Sequence, residues 1–378
     1  MSNHTATRLR TLLALALVTL IAAPLGIAAD LVWTPETGWK SEGGILTGLT
    51  GPDGRNALAL MNAARKEEEA GKTKDAIKSY ERVGKRYGNS IYAPEAMYRA
   101  ATLRFERNEF PKAFTDYQTV VSRYPNTTRF NQIIGEQYII AAAYLNGARS
   151  PFLWIFPGFT NREKAIQYFE TILFNAPYSE YAPLCLMHIA AGHQRIGNTN
   201  ESLYALDRLI NNYGHSTLTP EAYIKIADIY ASLVDGADYD QGATKEAVTY
   251  YEDFMILYPN DPHIVQAEKG LRKMKEIMAQ SKINIADFYF KKRANYKAAR
   301  VFYNEAITVF PDSDIAARAR KRLEEVEVAA AKATQTPKKR KRNSWVSSEP
   351  INDFQLPHMS PIGPIGRMGL MVLSPFEI

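Results

Sequence analysis

Between Ala57 and Arg318 the chain repeats one short pattern six times, and few folds accept such a repeat. Each copy places a small residue four positions before a large apolar one. Seven further on comes an aromatic (alanine in one copy), usually followed by proline. The pairs are Ala76/Tyr80, Ala113/Tyr117, Ala165/Phe169, Ser202/Leu206, Ala247/Tyr251 and Ala299/Tyr303. The terminal positions are Tyr87, Tyr124–Pro125, Ala176–Pro177, Tyr213, Tyr258–Pro259 and Phe310–Pro311. Two intervals between copies are 37 residues; the others are 52, 45 and 52, which is 37 plus an insertion. Units of this length bury their apolar faces only by stacking on their neighbours, so the pattern predicts a solenoid. Solenoids present long surfaces to other macromolecules, and the expected role is that of a binding scaffold.

Each unit reads as a pair of helices. Pro94 to Ala101 opens one helix, with proline in the first turn, where its missing N–H costs nothing. Pro111 to Tyr124 forms the next and stops at Pro125, which cannot continue it. The opening recurs at Pro183–Ala190 and Pro220–Ala227. Small residues at Ala64, Ala101, Ala142, Ala190 and Ala227 let the paired helices approach closely. The large residue four positions after the second helix's small one fills the gap to the next unit. This pattern resembles the tetratricopeptide repeat, whose unit of about 34 residues has small residues at its helix crossing and a proline after the second helix. The predicted fold is all-α, a tetratricopeptide-like helical-hairpin solenoid with a disordered C-terminal tail. The repeat domain is expected over 57–328 as about six units, with insertions near 147–162, 234–244 and 263–281. The last of these reads as an extra helix or a lengthened one.

The two ends read differently. Arg8 and Arg10 precede an apolar run from Leu12 to Ala23, and Gly26-Ile27-Ala28 offers small residues to a signal peptidase. Residues 1–28 are therefore expected to be a cleaved signal peptide. Residues 29–56 hold no helical period and are expected as an extended arm. Its Trp33 and Trp39 either dock on the first repeat or wait for a partner. Residues 329–378 are expected as a basic, Pro/Gly-rich disordered tail. Its Lys338–Arg342 run is either a solvated linker or a contact to an anionic envelope surface. The net charge of +6 sits at these ends, and residues 29–331 balance 37 basic against 37 acidic residues. A neutral body argues against nucleic acid as a partner. Cys185, the one cysteine, falls at an apolar helix position, and no cysteine follows the apolar run to carry a lipid.

Chemistry-bearing motifs do not emerge. His188 and His193 are five apart, which misses the four-residue spacing of a helical zinc pair. The glycines lie in turns and in the arm rather than in a phosphate loop. Carboxylates alternate with basic residues at helical spacing, as on a solvated face. No nucleophile elbow occurs. No enzyme activity, metal, cofactor or small-molecule substrate is expected.

The export signal, the repeat units and the closing stretch Phe288 to Ala299, continuing through Pro311-Asp312-Ser313, resemble the BamD family. These are periplasmic tetratricopeptide lipoproteins of outer-membrane β-barrel assembly, and the resemblance covers about residues 57–325. It implies a periplasmic scaffold associated with the outer membrane, in peripheral contact with the bilayer. Its C-terminal repeats would hold the barrel-insertase subunit, and its N-terminal repeats would receive unfolded outer-membrane clients. The missing lipid-anchor cysteine, the insertions and the basic tail depart from the family. One alternative is a periplasmic tetratricopeptide scaffold for peptidoglycan, cell-division or polysaccharide-export machinery. Another is a hydrolase that uses repeats for targeting. Helix openings set at Pro94, Gly135, Pro183 and Pro220 place Tyr98, Thr102, Phe105, Ile139, Met187, Ile224 and Asp228 on the expected protein-binding concave face. Tyr98 and Ile139 are the expected anchors. Phe152, Trp154 and Phe156 in the apolar insertion form a second expected partner patch.

Overall fold

The computed structural model describes residues 30–42, 52–147 and 161–335. Thirteen α-helices follow one another among these residues. The hairpins are α1 (Pro52–Glu69) with α2 (Thr73–Arg86), α3 (Ala93–Glu106) with α4 (Phe110–Arg123), and α5 (Phe130–Leu145) with α6 (Arg162–Asn175). They continue as α7 (Tyr181–Arg195) with α8 (Thr199–Asn212), α9 (Thr219–Ser232) with α10 (Gly242–Leu257), and α11 (Ile264–Asp287) with α12 (Tyr296–Val309). α13 (Asp314–Gln335) closes the series. From α1 to α12, each helix packs on the next. The compact body ends at Glu327, and of the following unit the helical residues 328–335 are described.

The repeat pattern is the core. No residue of the six sequence pairs exposes more than 2 % of its surface. Burying a side chain of this size stabilises by about 1.5–3 kcal/mol, so the recurring large residue is the main apolar contribution of each second helix. Four of the six also carry a hydroxyl that ties the second helix back to the first. Tyr80 donates to Glu68 Oε2 at 2.7 Å, Tyr117 to Thr102 at 3.2 Å, Tyr251 to Asp228 Oδ1 at 2.6 Å, and Tyr303 to Asp287. The terminal tyrosines link neighbouring units instead. Tyr124 donates to the Gly88 carbonyl and Tyr213 to the Pro177 carbonyl, both at 2.7 Å, so each clasps the turn that closes the preceding unit.

Close approach also relies on glycine. A Cβ on Gly84 of α2 would lie 2.5 Å from Met97 Cγ of α3, and one on Gly270 of α11 would overlap the Tyr251 ring. Gly135, read from sequence as a helix opening, sits inside α5, which begins at Phe130. A Cβ there would lie only 2.8 Å from the Tyr181 hydroxyl, so this glycine is a notch and not a start.

The segment 29–56 differs from the expected extended arm. Residues 30–42 form an antiparallel hairpin, β1 (Asp30–Thr34) and β2 (Gly38–Glu42), with Trp33 opposite Trp39. Gly38 turns the chain with φ +70. Trp39 is 2 % exposed in the core of the first repeat, and Trp33 packs beside it under the Arg65 guanidinium at 4.3 Å. α1 begins at Pro52, earlier than the periodicity indicated, with Asp53 in the first turn, where the helix dipole favours an acid. The third insertion is a lengthened helix, the 24-residue α11, followed by a π-helical turn over Phe288–Lys292 in which Tyr289 stacks on Phe302 at 5.6 Å. α13 carries helix to Gln335, beyond the expected boundary at 328. The leader, most of the apolar insertion (148–160) and residues 336–378 lie outside the described residues.

Candidate protein-binding site

The seven expected concave-face residues do not share one environment. Tyr98 is 4 % exposed and belongs to the core, which corrects its assignment as an exposed anchor. Its ring lies 6.1 Å from that of Tyr117, and its hydroxyl donates to Glu136 Oε1 at 2.9 Å and accepts from Gln132 Nε2 at 2.5 Å. Burial, reinforced by the Glu136 carboxylate, pushes the Tyr98 phenol up to about 12. The residue is thus a strut between α3 and α5. Ile224 is also buried, in the α9–α11 core, and is likewise corrected. Thr102 is half-buried and accepts the Tyr117 hydroxyl. Asp228 is exposed but accepts from both Tyr251 and Gln266. Phe105 packs on Phe110 and Met187 is partly buried. Ile139 alone of the seven presents an open apolar side chain, 53 % exposed. Helical spacing could not separate these cases, because α3, α5 and α9 are contacted on more than one side. Phe152, Trp154 and Phe156 lie outside the described residues.

Two features that the periodicity did not mark stand out on the surface. The first is a groove of about 660 Å³ where the hairpin meets the second unit. Leu31, Ile91, Pro94, Tyr124 and Pro125 give it apolar walls, and Arg123, Thr127, Arg129 and Gln132 a polar rim. Glu95, buried at its base, accepts from Arg99 Nε and Arg129 Nε, each at 3.1 Å. Arg129 also sits 5.3 Å from the Tyr98 ring centroid. The carboxylate is therefore neutralised locally, and the groove offers apolar contact with cationic edges.

The second feature is a set of open aromatics on α6, α8 and the turn between α6 and α7. Phe174 is 87 % exposed, Tyr178 fully so, and Tyr204 lies under Arg208 at 5.6 Å. Between α6 and α8, Arg208 makes a two-pronged pair with Glu170 at 2.8 and 3.3 Å, beside a smaller groove of about 280 Å³. Apolar side chains this open on adjacent elements are characteristic of binding surfaces.

The polar residues singled out in the sequence have structural partners. His188 bonds Tyr138 at 2.8 Å and stacks on Phe169 at 5.0 Å, and burial lowers its pKa. Cys185 is enclosed in α7, where burial pushes its thiol up to about 12; it is placed to pack, not to accept a lipid. Among the described residues no cluster of His, Cys, Asp or Glu could hold a metal ion, and no helix is long and apolar enough to cross a membrane.

Comparison with known proteins agrees with this architecture. Residues 58–90 and 95–127, the first two hairpins, match the tetratricopeptide repeat model. Residues 159–344 match the YfiO model, described as an outer membrane lipoprotein. The outer membrane protein assembly factor BamD of Caulobacter vibrioides is 25% identical over 132 residues, covering 35% of this chain and 43% of that protein. BamD of Xylella fastidiosa is 20% identical over 157 residues, covering 38% and 53% respectively. The chain thus spans about half the length of the curated relatives it matches. A tetratricopeptide repeat protein of known structure from Parabacteroides merdae is 12% identical, with 72% of this chain and 100% of that chain covered and a TM-score of 0.29. The chain carries tetratricopeptide repeats, and its residues 159–344, just under half of its length, are similar to the YfiO (BamD) family.

Proposed function

We propose that this chain is an exported scaffold of outer-membrane β-barrel protein assembly, working at the periplasmic face of the outer membrane. The observation that carries the reading is the family match across α6 to α13, supported by the named assembly-factor relatives. In this reading residues 1–28 direct export and are removed. The N-terminal repeats receive unfolded β-barrel clients, for which the groove between Leu31 and Arg129 offers apolar walls and cationic edges. The C-terminal repeats hold the barrel-insertase subunit, and the open side chains of Ile285, Phe288 and Val301 are available there. Ile139 and the patch Phe152, Trp154 and Phe156 remain candidate contacts with either partner.

Crosslinking in living cells, followed by recovery of the protein from outer-membrane fractions, tests this reading. The expected captives are a barrel insertase and β-barrel precursors. Capture of peptidoglycan, cell-division or polysaccharide-export components in their place would overturn it.

A further inference from the structure

Among the described residues, the hairpin register leaves one strand edge unpaired beside the groove. β1 and β2 pair from Asp30 opposite Glu42 to Thr34 opposite Gly38. In an antiparallel pair the residues alternate between those that exchange interstrand hydrogen bonds and those whose backbone groups turn outward. A ladder that closes on Thr34/Gly38 makes 30/42, 32/40 and 34/38 the bonded pairs. Leu31, Trp33, Trp39 and Ser41 then point their N–H and C=O groups away from the partner strand. Trp39 shows the alternation directly, since its N–H donates outward to Asn62 Oδ1 of α1 at 2.9 Å. β2 is thereby held against α1. Along β1, no described residue hydrogen-bonds to the outward groups of Leu31 and Trp33. Leu31 is also the hairpin residue that lines the 660 Å³ groove, across from Ile91, Pro94 and the turn Tyr124–Arg129.

We infer that the outer edge of β1 is a docking edge for an extended polypeptide strand, which adds to the hairpin as a third strand and lays alternate side chains in the groove. The inference rests on the proposed client-receiving role and specifies how a client would be held. An edge offers donors and acceptors at two-residue intervals of about 6.8 Å, which match only a chain in β conformation. Main-chain bonds of this kind accept many sequences, and a pocket for alternate side chains supplies the preference. Here the pocket walls are apolar, Glu95 is occupied by Arg99 and Arg129, and Arg123 pairs with no carboxylate among the described residues. The strand that fits is apolar at alternate positions and neutral or acidic between them. Trp39 and Trp33, anchored on the first repeat, hold the edge in place before the strand arrives.

The test uses the full chain and a capped ten-residue peptide alternating Val with Thr, together with two versions N-methylated at only the odd or only the even residues. One methylated version is expected to bind at least tenfold more weakly than the parent and the other within twofold, since only one set of amides faces β1. Amide exchange at Leu31 and Trp33 is expected to slow at least tenfold on binding, while Val32 and Thr34, already bonded to β2, stay unchanged. Equal binding of both methylated versions, with no slowing at Leu31 and Trp33, would overturn the edge while leaving the client-receiving role intact. Failure of the parent peptide to bind would overturn both.

Discussion

Replacing Tyr98 separates a structural role from a binding one. Its ring is enclosed between α3 and α5, so Tyr98→Ala leaves a cavity lined by Tyr117 and takes one of two donors from Glu136 Oε1, the other being Gln132. Deletion of a buried aromatic costs about 3–5 kcal/mol. Tyr98→Phe keeps the ring and removes the hydroxyl bonded to Glu136 and Gln132. A bond to a charged acceptor contributes about 1.5–3 kcal/mol when well buried; because Gln132 is exposed, water replaces part of it, and about 1–2 kcal/mol is expected. Urea unfolding followed by circular dichroism reads both values from the midpoint at constant slope. A pH series adds a second readout. The phenol ionises near 10 in the unfolded chain and at about 12 in the fold. The raised value means that this stabilisation is complete below pH ~10 and is lost as the pH climbs toward 12. Tyr98→Phe should therefore decline less steeply than the parent over that window. If Tyr98→Ala costs less than about 1 kcal/mol yet abolishes peptide binding, the residue is a surface anchor and the assignment to the core is wrong.

Other expectations follow from the same packing. Ala101→Leu, at a fully buried helix crossing, should cost ~1–3 kcal/mol by overpacking in urea unfolding, and a change below about 0.5 kcal/mol would place Ala101 outside the crossing. Gly270→Ala drives a methyl into the Tyr251 ring and should cost ~1–3 kcal/mol. Adding Tyr251→Leu should then cost less than it does alone, and strict additivity would show that the two residues do not touch. Trp39→Ala should lower the stability of the first repeat by about 3–5 kcal/mol, and an unchanged urea midpoint would mean that the hairpin is not part of that core.

The repeat was legible because its code is local. A small residue and a large one at i and i+4 fall on one helix face, and all six pairs are buried as that spacing demands. The bonds that complete the units were not legible. Tyr80, Tyr117, Tyr251 and Tyr303 find acceptors 12 to 23 residues upstream, at offsets that vary with loop length. Tyr98 misled because it looks like a spare aromatic on a helix whose packing positions are already filled, whereas α3 is contacted by both α2 and α4 and bonded across to α5. The β-hairpin escaped notice for a related reason. Five-residue strands carry little periodicity, and this pair is fixed by Asn62 and Arg65, which lie more than twenty residues away. Glycine and proline around it masked the early start of α1.

Depletion of the protein from the cells that make it, with the folded β-barrel proteins of the outer membrane quantified over the following generations, tests the assembly role most directly. A scaffold of barrel assembly predicts a selective fall in barrel proteins, with unfolded precursors accumulating in the periplasm. Unchanged barrel levels alongside a defect in peptidoglycan, division or exported polysaccharide would contradict it.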